Sequence, residues 1–235
     1  MKRIVLSSLL AVMVWSSASF ALPSGTIKFM NYTSPHGLGG GEFTLKNVGS
    51  SALGAVGVGE TWRTFCIEYP EHVSIGATYN AYVNTGAVRG GNAGQTAPAY
   101  DPLDARTAYL YTKFWHGTLS NYNHDTYSAT NLQVAIWKLE NELDDGAGTT
   151  FTKINYNNYD QAKAWVAEAT QAVNSGNWSG LGNVRAVNLF DRYGRHKQDQ
   201  LILVPAPGSF LLATLGISAV GYLRRRRAAV EEVIA

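Results

Sequence analysis

Through its first hundred residues the chain alternates apolar and polar positions in short runs, and then the period changes. Segments 26–30, 41–45, 61–67 and 78–83 repeat every second residue in a region rich in glycine, threonine, valine and tyrosine, which predicts half-buried strands. The glycine-rich stretches 37–41 and 86–94 read as loops between them. After Pro102 the apolar spacing lengthens to three and four, the helical period. Segment 103–115 aligns Leu103, Thr107, Leu110 and Phe114 on one face, and segment 130–143 aligns Leu132, Ile136, Leu139 and Leu143. Thr130 or Asn131 is the expected N-cap of that second helix. A third helix is expected over 159–174, where Ala162, Trp165, Val166, Ala169 and Val173 recur before a Ser175-Gly176 stop. Strand patterns return at 184–190 and 200–204. Strands, then helices, then strands predict an α+β fold: a β-rich sandwich or barrel-like part with an inserted helical part.

The two ends follow neither period. Lys2 and Arg3 precede an apolar run over 4–15, and Ser19-Phe20-Ala21 has small residues at the two positions a signal peptidase requires. Segment 1–21 therefore reads as an export signal, with the mature chain starting near Leu22. Near the other end, 208–223 carries no charge and runs directly into Arg224, Arg225, Arg226 and Arg227. An apolar stretch with a basic stop predicts a transmembrane helix with its arginines in the cytoplasm. Four adjacent arginines repel one another and favour water or phosphates, which argues against a buried hairpin helix. Pro205 and Pro207 prevent the preceding apolar residues from joining that helix. The expected division is a signal peptide at 1–21, one extracytoplasmic domain at 22–203, a sorting tail at 204–227 and a cytoplasmic tail at 228–235.

The tail resembles a PEP-CTERM sorting signal. Val204-Pro205-Ala206-Pro207-Gly208, an uncharged span and an arginine cluster stand in the order found in that family, with Ala206 where the eponymous motif has glutamate. The resemblance implies export in a Gram-negative bacterium, with signal peptidase and an exosortase as processing partners. It also implies residence in the inner membrane before processing, then a cell-surface or extracellular-matrix address.

Charge and metal-binding patterns narrow the remaining chemistry. The formal charge is +2, and Lys2, Arg3 and the four tail arginines supply six positive charges, so the rest carries −4, or −2 if Glu231 and Glu232 also leave. There is no basic face for nucleic acid. His36, His72, His116, His124 and His196 lie far apart and mostly in turn-like sequence, without zinc-ligand spacing. Asp101, Asp104, Asp125, Asp144 and Asp145 form no calcium loop. No metal or cofactor is expected, and the glycine run at 37–41 reads as turn formation rather than a phosphate cradle.

Cys66 is the only cysteine of the 235 residues. An exported cysteine without a disulfide partner is either a small buried hydrophobe or a reactive group. Gln133, in Leu132-Gln133-Val134-Ala135-Ile136-Trp137, lies in the first turn of the expected second helix, beside its apolar stripe. Its amide is satisfied either by ordinary hydrogen bonds or by attack of the Cys66 thiolate, with loss of ammonia and formation of a thioester. A helix N-terminus would favour the thiolate. Phe65, Ile67, Ile136 and Trp137 are the residues expected to shield such a bond from water.

Phe65-Cys66-Ile67 and the Leu-Gln-x-x-Ile-Trp stretch, 67 residues apart from Cys66 to Gln133, resemble the paired motifs of thioester domains in bacterial surface adhesins. The resemblance implies that Cys66 is the thioester sulfur and Gln133 the acyl donor. It further implies covalent capture of an amine, such as a lysine on a surface protein or matrix ligand, in a reaction that consumes the bond once and is not enzymatic turnover. Glu68, His116 and Glu140 are titratable candidates to assist the amine. Two other readings stand beside this one: a structural envelope or biofilm-matrix protein in which Cys66 and Gln133 only pack, and an enzyme with Cys66 as nucleophile.

Overall fold

The computed structural model describes residues 24–32, 40–88, 100–143 and 154–205. The expected signal segment, the apolar span at 208–223 and its arginines lie outside them, as do Ala206, Pro207 and Gly208. Among the described residues no helix is long and apolar enough to cross a membrane.

The architecture is mixed α+β. Among the described residues there are eight strands: β1 (Ser24–Tyr32), β2 (Phe43–Asn47), β3 (Thr61–Thr64), β4 (Thr78–Asn84), β5 (Gly86–Val88), β6 (Tyr100–Pro102), β7 (Val184–Phe190) and β8 (His196–Leu203). Three helices lie between β6 and β7: α1 (Ala105–Trp115), α2 (Thr126–Leu139) and α3 (Asp160–Asn174). Six strands form one antiparallel sheet in the order β3-β2-β1-β4-β7-β8, and β5 and β6 pair as a separate ribbon. Segment 86–94, expected as loop, therefore begins with a strand. Gly86 permits this pairing because a Cβ there would lie 2.2 Å from the Asp101 carbonyl oxygen.

Alternation decides which face of each strand is buried. Along β4, Tyr79, Ala81 and Val83 point inward while Thr78, Asn80 and Tyr82 point out. The two edges of the sheet meet beyond β3. The Ile67 N–H donates to the Asp199 carbonyl at 3.0 Å and the Leu201 N–H to the Phe65 carbonyl at 3.3 Å, flanking a single antiparallel bridge between Cys66 and Gln200. The Trp62 indole N–H and the Thr64 hydroxyl both donate to the Leu201 carbonyl, at 3.2 and 2.6 Å. The sheet thus closes on itself, and Cys66 sits on the seam.

The α2 helix is buried on every side from Asn131 to Trp137. Such a helix belongs at the centre of a fold rather than on its surface. It begins four residues before the expected start. Asp125, not Thr130 or Asn131, is the N-cap, and it forms a capping box with Ser128: the Ser128 N–H donates to Asp125 Oδ1 at 2.7 Å. Asn131 instead caps a neighbour, its Oδ1 accepting the Ala162 N–H at 3.1 Å in the first turn of α3, where Tyr159 provides no side-chain cap. This contact fixes α2 against α3.

Candidate site at Cys66 and Gln133

The β2–β3 ladder ends at the pairing of Phe43 with Thr64. Two residues further, where Gly41 and Cys66 would face each other, the side chain of Gln133 is inserted between them. Its Oε1 accepts the Cys66 N–H at 3.0 Å and the Gly41 N–H at 3.1 Å, and its Nε2 donates to the Cys66 carbonyl at 2.9 Å. The carboxamide therefore occupies the hydrogen-bonding place of a neighbouring strand. Cys66 and Gln133 are both fully buried. Two backbone donors converging on one carbonyl oxygen polarise that carbonyl and are placed to hold an oxyanion.

Each part is positioned by its own element. Gln133 is the eighth residue of α2, not in its first turn, because the capping box starts the helix at Thr126. The helix N-terminus thus lies too far along the axis to favour a Cys66 thiolate, since its field decays within about one turn. Gly41 is held through its neighbour: buried Glu42 pairs with Arg63 at 2.8 Å and accepts the Tyr122 hydroxyl. Gly41 has φ +148°, a conformation side chains rarely adopt. At Gly40 an added Cβ would lie 2.5 and 2.6 Å from the Trp137 ring and 3.0 Å from Gln133 Cγ. Within the glycine run that reads as a mere turn in the sequence, Gly40 is therefore a wall and Gly41 one donor of the site.

The expected shielding residues are all buried. Phe65 stacks edge-on against Phe114 with centroids 5.0 Å apart, and Trp137 does the same with Tyr69 at 5.0 Å. Ile67 and Ile136 belong to the same core. The Trp137 indole nitrogen is buried without a hydrogen-bond partner among the described residues.

Burial pushes the Cys66 thiol well above its ordinary range; the Gln200 side chain draws it down and the charge of Glu68 raises it further. A free thiolate is thus strongly disfavoured unless a base takes the proton. Of the three titratable candidates, His116 is the exposed C-cap of α1. Glu140 caps the other end of α2 and accepts the Asp104 N–H, with its carboxyl raised to about 8 by desolvation. Only Glu68 bears on Cys66.

A polar cluster that lacks any sequence signature lies next to this pair. His196 bonds Glu71 through Nδ1 at 2.7 Å and Asp199 through Nε2 at 3.0 Å. Asp199 is fully buried and also accepts the Val88 and Leu189 N–H groups at 2.8 and 3.0 Å and the Asn188 amide at 2.6 Å. Asn188 reaches inward because the β7–β8 register shifts at that residue. His196, whose surroundings read as turn-like, is instead the first residue of β8. Of the expected sorting motif, Val204 and Pro205 are described, and the Val204 N–H donates to the Asn183 carbonyl at 2.8 Å, so the folded domain extends to Val204.

No protein-family model matches this chain, and no curated protein or solved structure matches it either.

Proposed function

We propose that Cys66 and Gln133 join as an internal thioester in an exported protein, for single-use covalent attachment to an amine. The observation that carries this reading is the clamp on the Gln133 carboxamide. Both of its polar atoms are held by the backbone of Cys66, and its carbonyl oxygen takes a second N–H from Gly41. Attack by Sγ on Cδ would develop negative charge on that oxygen, between two donors already in place. Ammonia would then leave from Nε2, and an amine would later displace Sγ to form an amide. The buried aromatic and aliphatic wall supports the lifetime of such a bond against hydrolysis.

Around this chemistry, the sequence ends support an exported chain that is membrane-held through 208–223 and then handed to an exosortase for a surface or matrix address. The capture partner is an amine-bearing protein or matrix component. A purely structural reading has one observation in its favour: the same three hydrogen bonds satisfy the buried amide without any covalent step.

Intact mass separates the two. The thioester lowers the mass of the chain by one ammonia, and methylamine then adds its own mass at Gln133. Cys66→Ala and Gln133→Ala abolish both changes. An unshifted mass with a titratable thiol refutes the covalent reading.

A further inference from the structure

Glu68 has a buried carboxyl with one oxygen unaccounted for. Its Oε2 accepts the Asp199 N–H at 3.1 Å, while its Oε1 is buried without a hydrogen-bond partner among the described residues. The charges that act on it are acidic: Asp199 from β8, Glu71 from the loop after β3 and Glu142 from the turn after α2. His196 bonds Glu71 and Asp199, and neither of its ring nitrogens is bonded to Glu68. A carboxyl so placed stabilises little as a carboxylate and costs desolvation energy. Such groups concentrate where chemistry uses them.

Its position relative to the reacting pair is fixed. Glu68 follows Cys66 by two residues, and segments 66–68 and 198–200 run side by side, with Cys66 opposite Gln200. The Gln198 amide holds the Glu68 carbonyl at 3.0 Å, so the backbone carrying the carboxyl is pinned as well. The charge of Glu68 bears directly on the Cys66 thiol.

We propose that Glu68 accepts the Cys66 thiol proton as the sulfur attacks Gln133, and returns it to the departing ammonia. This inference rests on the thioester reading above. In the first half, the Sγ–H proton moves to the carboxylate of Glu68 and the Sγ–Cδ bond forms. The electron pair of the carbonyl collects on the Gln133 oxygen between the Cys66 and Gly41 N–H groups. In the second half the carbonyl re-forms, the Cδ–Nε2 bond breaks, and nitrogen leaves as ammonia with the proton from Glu68. Thiol and carboxamide give thioester and ammonia, with no other reactant. Desolvation and the neighbouring carboxylates raise Glu68 well above the usual carboxylate range, which makes it a stronger proton acceptor once ionised.

The test follows ring closure from a defined open state. The full chain in detergent is incubated with concentrated ammonium at mildly alkaline pH, which reverses the reaction to free thiol and carboxamide. After desalting, mass spectrometry follows the renewed loss of ammonia over a pH series. In the wild-type chain the closure rate climbs through one ionisation and levels as Glu68 becomes a carboxylate. Glu68→Gln, nearly identical in shape to the protonated acid, closes about 100-fold more slowly and lacks that step, with unchanged melting. Closure of Glu68→Gln at the wild-type rate overturns the role of Glu68 while leaving the thioester intact. A wild-type chain that never loses ammonia overturns the thioester, and this inference with it. Should Glu68→Gln fail to fold, the wild-type profile decides: closure without an ionisation step refutes the proposal.

Discussion

A double-mutant cycle on Cys66 and Gln133 distinguishes a covalent bond from packing by size alone. All three hydrogen bonds of the Gln133 amide run to backbone groups, so they survive Cys66→Ala. In that background Gln133→Ala leaves two N–H groups and one carbonyl buried and unpaired, a loss of roughly 3 kcal/mol or more. The thioester chain has already lost Nε2 as ammonia, so only the two bonds to the Gln133 oxygen cancel from the coupling energy, and the missing bond to the Cys66 carbonyl subtracts about 1 kcal/mol. What remains in the coupling is the cross-link. A bond closing a loop of 67 residues lowers the entropy of the unfolded chain enough to stabilise the fold by about 4 kcal/mol. Packing of a thiol beside an amide contributes less than about 1 kcal/mol. Guanidinium unfolding of the four chains at mildly acidic pH, where free amines are protonated, measures the coupling directly. A value of about 3 kcal/mol is expected. A value under about 1 kcal/mol, with all four chains folded, refutes the covalent reading.

Two further outcomes follow from the surroundings of the pair. Gly40→Ala forces a Cβ to within 2.5 Å of the Trp137 ring, so thermal melts should show a loss of about 2 kcal/mol, together with reduced methylamine labelling. Gly59→Ala, which meets no atom within 4 Å, should cost only its backbone strain and leave labelling unchanged; equal behaviour of the two variants refutes the close approach. For His196, burial alone would lower the pKa, but hydrogen bonds to Asp199 and Glu71 outweigh it and raise it to about 9. The stabilisation from the charged ring is complete below the unfolded value near 6.5 and is lost as pH rises through about 9. Denaturation across this range should therefore show the gap between wild type and His196→Ala closing with rising pH. A gap independent of pH refutes the ion-pair assignment.

Strongly periodic elements were legible in the sequence. The α3 helix, expected at 159–174, spans Asp160–Asn174, and β7 spans the expected 184–190, because each is rich in apolar residues and bounded by clear turn signals. The first half of β8 was not legible. His196, Lys197, Gln198 and Asp199 precede the strand expected at 200–204, yet they belong to β8, and Gln198 and Asp199 are buried by partners from the distant segments around Glu68, Val88 and Asn188. The start of α2 was missed for a related reason. Its first turn has no apolar stripe, and the Asp125–Ser128 box supplies the start signal instead. At the site, the motif pair identified Cys66 and Gln133 from their side chains. The second oxyanion donor could not be found that way, because it is a backbone N–H and Gly41 contributes no side chain to read. Three successive glycines one residue before β2 were its one available trace.

The insertion of Gln133 into the seam has a consequence for timing. Cys66 lies where β3 meets β8, Gly41 precedes β2, and Gln133 stands in the middle of a buried helix held against α3. These segments come together only when the sheet has closed and α2 has docked. An unfolded chain therefore carries an ordinary cysteine and an ordinary glutamine, without a latent electrophile. Under the proposed thioester reading, folding itself would arm the protein, and a chain not yet folded would pass amine-rich surroundings without being trapped by them.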